Sequence, residues 1–235
     1  MKYLLSFYYW TISILYFLIF CFLGFVLTFF IPNERLDPLL KKGCRILFKL
    51  LNIKVEVEGL EHINPEKAYI FMANHVSGFD LPLLEGYIPG FARGVEAKHH
   101  FNIPVFGWLI RRIGNIPIDR KNIHTSIRSI GSAKNRLSQN RSIIILPEGH
   151  RTLDGNLMPF KKLPFIMAKR AEVDIIPMGL SGLFYLNRKG SFLIRPTTLK
   201  VKFGEPIPLE QIKRLSVDDL KVLTRLAIEG LVEYP

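Results

Sequence analysis

The chain has 235 residues, 49% of them hydrophobic, with 32 Lys and Arg against 20 Asp and Glu, a formal charge of +12. That length holds one membrane segment and one domain built around a single core, and the charge calls for an anionic partner: nucleic acid, an anionic membrane face or a phosphorylated small molecule. Two cysteines, Cys21 and Cys44, exclude a disulfide framework and a cysteine zinc site and fit a reducing compartment.

From Tyr3 to Asn33 there is no charged side chain, a run longer than the roughly 20 apolar residues that cross a bilayer. A signal peptide would have an apolar core of about 7 to 15 residues and a small-residue cleavage site, and neither is present. As one helix the run would reach roughly 45 Å against a hydrocarbon core of about 30 Å, so either a tilted span or a bent path held in one leaflet accommodates it. Residues 1–33 are thus read as a membrane anchor.

Residues 34–52 follow as a basic amphipathic helix. Leu39, Leu40, Ile46, Leu47, Leu50 and Leu51 alternate there with Lys41, Lys42, Arg45 and Lys49. Such a helix lies on an anionic membrane surface, or packs on a core with its basic face solvated. Positive charge is denser here than before the anchor, which places residues 53–235 on the cytoplasmic side.

Beyond Asn52, β-rich runs (KVEVEG, AYIFMAN, FARGVEA, NIPID, SIIIL, DIIPMGL and LKVKFG) alternate with helix-like segments at 80–88, 103–113, 123–138 and 164–171. A last helix starts after Ser216 with two acids in its first turn. The alternation predicts an α/β domain, a largely parallel central sheet flanked by helices.

AYIFMANHVSGFD places His75 at the end of a buried strand and Asp80 at the start of a helix, with Gly78 letting the chain turn between them. Ligands bind at such strand ends in open α/β sheets. A neutral imidazole there can take a proton from an attacking hydroxyl, while a carboxylate on its other nitrogen fixes the tautomer. Equally, Asp80 could simply cap its helix. Ser77 next to His75 lacks the G-x-S-x-G elbow of hydrolases. Adjacent His99 and His100 are expected to point apart on a helix or strand, which disfavours a metal site, and no nucleic-acid-binding module is recognisable.

Asn74, His75, Ser77 and Asp80 resemble the first motif of the glycerolipid acyltransferase family, specifically the 1-acylglycerol-3-phosphate acyltransferases, and three further blocks follow in the family's order. GNIPIDR resembles its acceptor motif, which implies that Arg120 binds phosphate. LPEGHRT resembles its proline-glutamate-glycine motif, implying Glu148 on a glycerol hydroxyl, Gly149 as a point of close backbone approach and Arg151 on phosphate; His150 replaces the usual threonine. IIPMGL matches the hydrophobic proline motif through Pro177, implying support of the acyl side of the site. Lys98 matches a lysine near the substrate phosphate, and in MPFKKLPF Leu163 stands where the family has glycine.

The resemblance spans Asn52 to about Gly204 and implies acyl transfer from acyl-CoA or acyl carrier protein to the sn-2 hydroxyl of lysophosphatidic acid, giving phosphatidic acid. His75 would be the general base and Asp80 its partner, with Asn74, Ser77, Gly78 and Pro177 supporting the site and no cofactor or metal. Another lysophospholipid or an ornithine lipid is the rival acceptor. A noncatalytic membrane-tethered binder of anionic lipid is the reading from another class.

Overall fold

The computed structural model describes residues 1–119, 131–137 and 139–234. Seven strands, β1 (Val55–Glu58), β2 (Ile70–Ala73), β3 (Ala92–Ala97), β4 (Ile116–Ile118), β5 (Ser142–Ile145), β6 (Ile175–Ser181) and β7 (Leu199–Phe203), form one sheet in the order β1-β7-β6-β2-β5-β3-β4. Every pairing is parallel except β6 with β7. The helices are α1 (Lys2–Leu27), α2 (Asn33–Leu50), α3 (Asp80–Tyr87), α4 (Phe106–Ile113), α5 (131–137), α6 (Lys162–Ala171), α7 (Leu183–Leu186), α8 (Leu209–Arg214) and α9 (Val217–Glu229). Each β-rich run of the sequence is a strand. Of the helix expected at 123–138, only 131–137 lies within the described residues.

Strand alternation sorts the core into two layers. Phe71 and Ala73 of β2 and Ile144 of β5 face a cluster with Phe48 of α2 and Leu83 and Leu84 of α3. Ile70, Met72, Ile143 and Ile145 face the opposite cluster, with Phe165 of α6, Ile212 of α8 and Leu220 and Ile228 of α9. Helices therefore cover both faces of β2 and β5, which is why these central strands read as continuous apolar runs.

α2 buries part of its apolar face against the protein, while Leu39 and Leu50 stay exposed. Leu36, Leu47 and Phe48 are buried, and one of its basic residues turns inward: the buried Lys41 donates to the Ile88 carbonyl at 2.8 Å, while the exposed Arg45 donates to the Gly86 carbonyl at 2.6 Å. Lys42 and Lys49 remain exposed. α1 crosses α2 closely enough that a Cβ on Gly43 would lie 2.2 Å from the Phe20 ring, which it would have to displace.

α1 is docked along nearly its whole length. The Ile194 N–H donates to Ser6 Oγ (3.1 Å), Trp10 Nε1 to the Phe192 carbonyl (2.7 Å), Tyr16 to the Gly43 carbonyl (2.7 Å), and Arg112 to the Thr28 carbonyl (2.9 Å). Its outer face exposes Leu4, Phe7, Leu15, Ile19, Phe22 and Leu23. At about 1.5 to 3 kcal/mol for each large apolar side chain left in water, that face calls for an apolar surrounding. Among the described residues, α1 is the one helix long and apolar enough to cross a membrane.

Candidate active site

His75 and Asp80 meet at the carboxyl end of β2. The Asp80 carboxylate, 1% exposed, lies 2.6 Å from His75 Nδ1 through Oδ2 and also accepts from the Val76 N–H (2.7 Å) and the Ser77 N–H (2.9 Å). Asp80 is the first residue of α3 and not its cap, since Phe79 holds that position. Its carboxylate folds back over the turn instead. Gly78 has no positive φ; the turn is closed by these three hydrogen bonds and not by glycine's conformational freedom.

With Nδ1 committed to Asp80, the imidazole carries its proton there and presents Nε2 as the acceptor. The ring is 22% exposed, open enough for a substrate hydroxyl. Ser77 is not arranged as a nucleophile for this base: its hydroxyl is buried and donates to the Asn187 carbonyl at 2.8 Å. The Val76 and Ser77 amides are spent on Asp80, which removes them as oxyanion donors.

A second loop grips the backbone of His75 at both ends. Glu148 accepts from the His75 N–H at 2.6 Å and from the Met158 N–H at 2.8 Å, while the Thr152 N–H donates to the His75 carbonyl at 2.9 Å. Burial pushes the Glu148 carboxyl up from its ordinary range, and these two amides pull it back. Both oxygens are engaged and the side chain is buried, so the geometry makes Glu148 a positioning residue for His75. Contact with a glycerol hydroxyl would require one of those bonds to be exchanged. Gly149 at φ +81° forms the left-handed step that turns this loop.

Arg151 reaches back over the first turn, its Nη1 3.6 Å from where a Cβ on Gly78 would sit. No carboxylate among the described residues pairs with it. His150 is exposed beside it. Asn74 exchanges two hydrogen bonds with the Leu180 backbone (2.8 and 2.9 Å), tying the end of β2 to β6. Pro177 sits opposite Met72 inside the sheet and accepts from the Gly204 N–H at 2.8 Å. Leu163 packs on the core cluster of the far sheet face.

Lys98 is 64% exposed, 3.6 Å from Asp119. Arg120 lies outside the described residues; its predecessor Asp119 lies beside Lys98. His99 and His100 do not diverge as expected. They occupy a 3-10 turn, where their rings meet edge to face at 4.4 Å, and His100 Nδ1 bonds to Glu96 at 2.7 Å.

The site adjoins a narrow apolar cavity of about 60 Å³ between α1, α2, α3 and α4. Leu81 and Pro82, directly after Asp80, form part of its wall, and Phe20, Leu40, Leu47, Leu109 and Ile113 line it. Neither this cavity nor the Met158, Thr152 and Asn187 contacts had a local signal in the sequence.

Residues 54–181 match the Acyltransferase family. The chain is 34% identical over 184 residues, 77% of its own length and 65% of the relative's, to a 1-acyl-sn-glycerol-3-phosphate acyltransferase of Limnanthes alba, and 35% identical over 191 residues (80% and 61%) to one of Cocos nucifera. The human protein named 1-acyl-sn-glycerol-3-phosphate acyltransferase alpha is 30% identical over 177 residues (74% and 61%). Each match spans less than two thirds of the relative's length. The fold matches the crystal structure of the 1-acyl-sn-glycerophosphate acyltransferase PlsC of Thermotoga maritima with a TM-score of 0.81, covering 98% of this chain and 94% of that one at 24% identity. By the extent of the family match, the chain belongs to the Acyltransferase family.

Proposed function

We propose that the protein transfers a fatty acyl chain from a thioester, acyl-CoA or acyl carrier protein, to the sn-2 hydroxyl of lysophosphatidic acid, forming phosphatidic acid. The observation that carries this reading is the His75–Asp80 pair, held at 2.6 Å, with the Arg151 guanidinium, which no carboxylate among the described residues pairs, reaching over the same turn. The acceptor hydroxyl gives its proton to His75 Nε2 as its oxygen attacks the thioester carbonyl. The carbon–sulfur bond then breaks, and the proton passes from His75 to the departing thiolate. Asp80 holds the imidazole and stabilises its charged form.

Arg151, with Lys98 and Arg120, is assigned to the acceptor phosphate, for which the guanidinium fork is suited. Arg151→Ala is expected to raise KM for lysophosphatidic acid about tenfold or more, as loss of a charge-assisted hydrogen bond does, with KM for the acyl donor unchanged. A panel of lysolipids reads this directly. Equal effects on donor and acceptor, or wild-type preference for an ornithine lipid or a lysophospholipid with a larger head group, would overturn the acceptor assignment.

The attachment of α1 from Ser6 to Thr28 supports a membrane position within one leaflet, and the basic residues that follow it support a domain on the cytoplasmic side. A helix spanning the roughly 30 Å of hydrocarbon would drag the Ile194 loop or Arg112 into it. Trp10 and Trp108 are the two tryptophans of the chain. Trp10 lies against Phe79 near one end of α1, and Trp108 against Phe25 near the other. In vesicles with brominated lipids, single-tryptophan variants are expected to show the same quenching depth. Depths differing by about 20 Å, the rise of the helix between the two contacts, would indicate a span.

A further inference from the structure

The loop that grips His75 has no ladder of its own. Residues 151–161 belong to neither helix nor strand, so their backbone groups need partners from elsewhere. The Thr152 N–H ties the start of the loop to the His75 carbonyl, and the Lys161 N–H ties its end to the Pro147 carbonyl at 2.8 Å. Between those ends Arg225, on the last helix α9, supplies a further hold: its Nη1 donates to the Met158 carbonyl at 2.8 Å and its Nη2 to the Leu157 carbonyl at 3.1 Å. The guanidinium also lies 5.6 Å from the centre of the buried Phe160 ring. A planar fork of donors suits two neighbouring carbonyls.

Met158 is also the residue whose N–H donates to Glu148 Oε2, while Glu148 Oε1 accepts from the His75 N–H. We propose that Arg225 is a positioning residue for acyl transfer: holding Met158 by its carbonyl keeps the Met158 N–H on Glu148, and so keeps Glu148 on the His75 backbone. The inference rests on the reading of His75 as the general base above. Without the fork, the Leu157 and Met158 carbonyls turn to water and the Met158 N–H leaves Oε2. Glu148, 1% exposed, then has one amide to support a charge that burial disfavours. It turns towards water, and the His75 backbone loses its hold. A misplacement of about 1 Å at a reacting group can cost roughly a hundredfold in rate. The packing of α9 does not depend on Arg225, because its buried residues are Leu220, Thr224 and Ile228. Substitution at 225 therefore acts on the loop and leaves the helix in place. Arg225 stands beyond residues 54–181, the extent of the family match.

The test is a set of substitutions at 225 in the full-length protein in vesicles, assayed with acyl-CoA and lysophosphatidic acid. Arg225→Met keeps an apolar stem against Phe160 and nearly the same helix propensity while removing every donor. It is expected to lower kcat about tenfold or more, with KM for both substrates unchanged and full helical ellipticity at the assay temperature. Arg225→Lys keeps a charged donor for one carbonyl and should retain more of kcat; if Arg225→Met does not fold, Arg225→Lys carries the comparison with wild type. In a Glu148→Gln background, where one link between Arg225 and His75 is already broken, Arg225→Met should cost much less than in wild type, as for residues that act through one another. A loss of folded protein would instead multiply through both backgrounds. Unchanged kcat in Arg225→Met, equal losses in Arg225→Met and Arg225→Lys, or the same fold-loss in both backgrounds overturns the positioning role and leaves acyl transfer standing. No transfer by wild type overturns the acyl-transfer reading itself.

Discussion

His75→Ala is expected to lower kcat for acyl transfer by about a hundredfold to ten-thousandfold, the range for removal of a positioned general base, with little change in KM for either substrate. The loss should be chemical and not structural. Asp80 keeps its bonds to the Val76 and Ser77 amides when the imidazole is gone, and the backbone of residue 75 remains gripped by Glu148 and Thr152. Thermal unfolding of the variant should therefore lie close to wild type. A large drop in Tm together with the lost rate would show that the histidine holds the fold and not the proton.

Asp80→Asn should combine both kinds of damage. The carboxylate accepts at both oxygens from three donors, and asparagine offers one oxygen, so its amide nitrogen must face at least one donor. A buried N–H left unsatisfied costs about 1 to 3 kcal/mol, visible as a lower Tm. The imidazole also loses the acceptor that fixes its tautomer, for which a rate loss of up to about ten-thousandfold is the precedent in histidine–aspartate catalysis. Asp80→Asn is thus expected to be impaired in kcat like His75→Ala but less stable than it. A variant with wild-type kcat would remove Asp80 from the mechanism.

Much of the fold was legible because its strands are short apolar or alternating runs bounded by turn residues. Ser142–Ile145 reads as a buried strand since both its faces are covered. Strand order was not legible: that β7 inserts between β1 and β6, antiparallel to β6, depends on partners far away in sequence. α7 and α8 have four and six residues, too few turns to establish a helical period. That Leu47 and Phe48 of 34–52 enter the core while Leu39 and Leu50 stay exposed depends on packing and could not be read from the local pattern.

The pairing of His75 with Asp80 was legible because both lie within one turn, where five residues of separation constrain the geometry. Glu148 was visible as a motif residue, but its hold on the His75 amide depends on how the loop after β5 folds over the end of β2. The paired rings of His99 and His100 reflect a 3-10 turn, for which neither strand nor helix periodicity is a guide.

The central claim is that His75 activates the acceptor hydroxyl for direct attack on a thioester. The most direct measurement is release of free thiol by purified protein in vesicles supplied with acyl-CoA, with and without lysophosphatidic acid, comparing wild type with His75→Ala. Thiol release by wild type that requires the acceptor, matches phosphatidic acid mole for mole and disappears in His75→Ala is the expected result. Undiminished release by His75→Ala, or vesicle binding by wild type with no release at all, would contradict it.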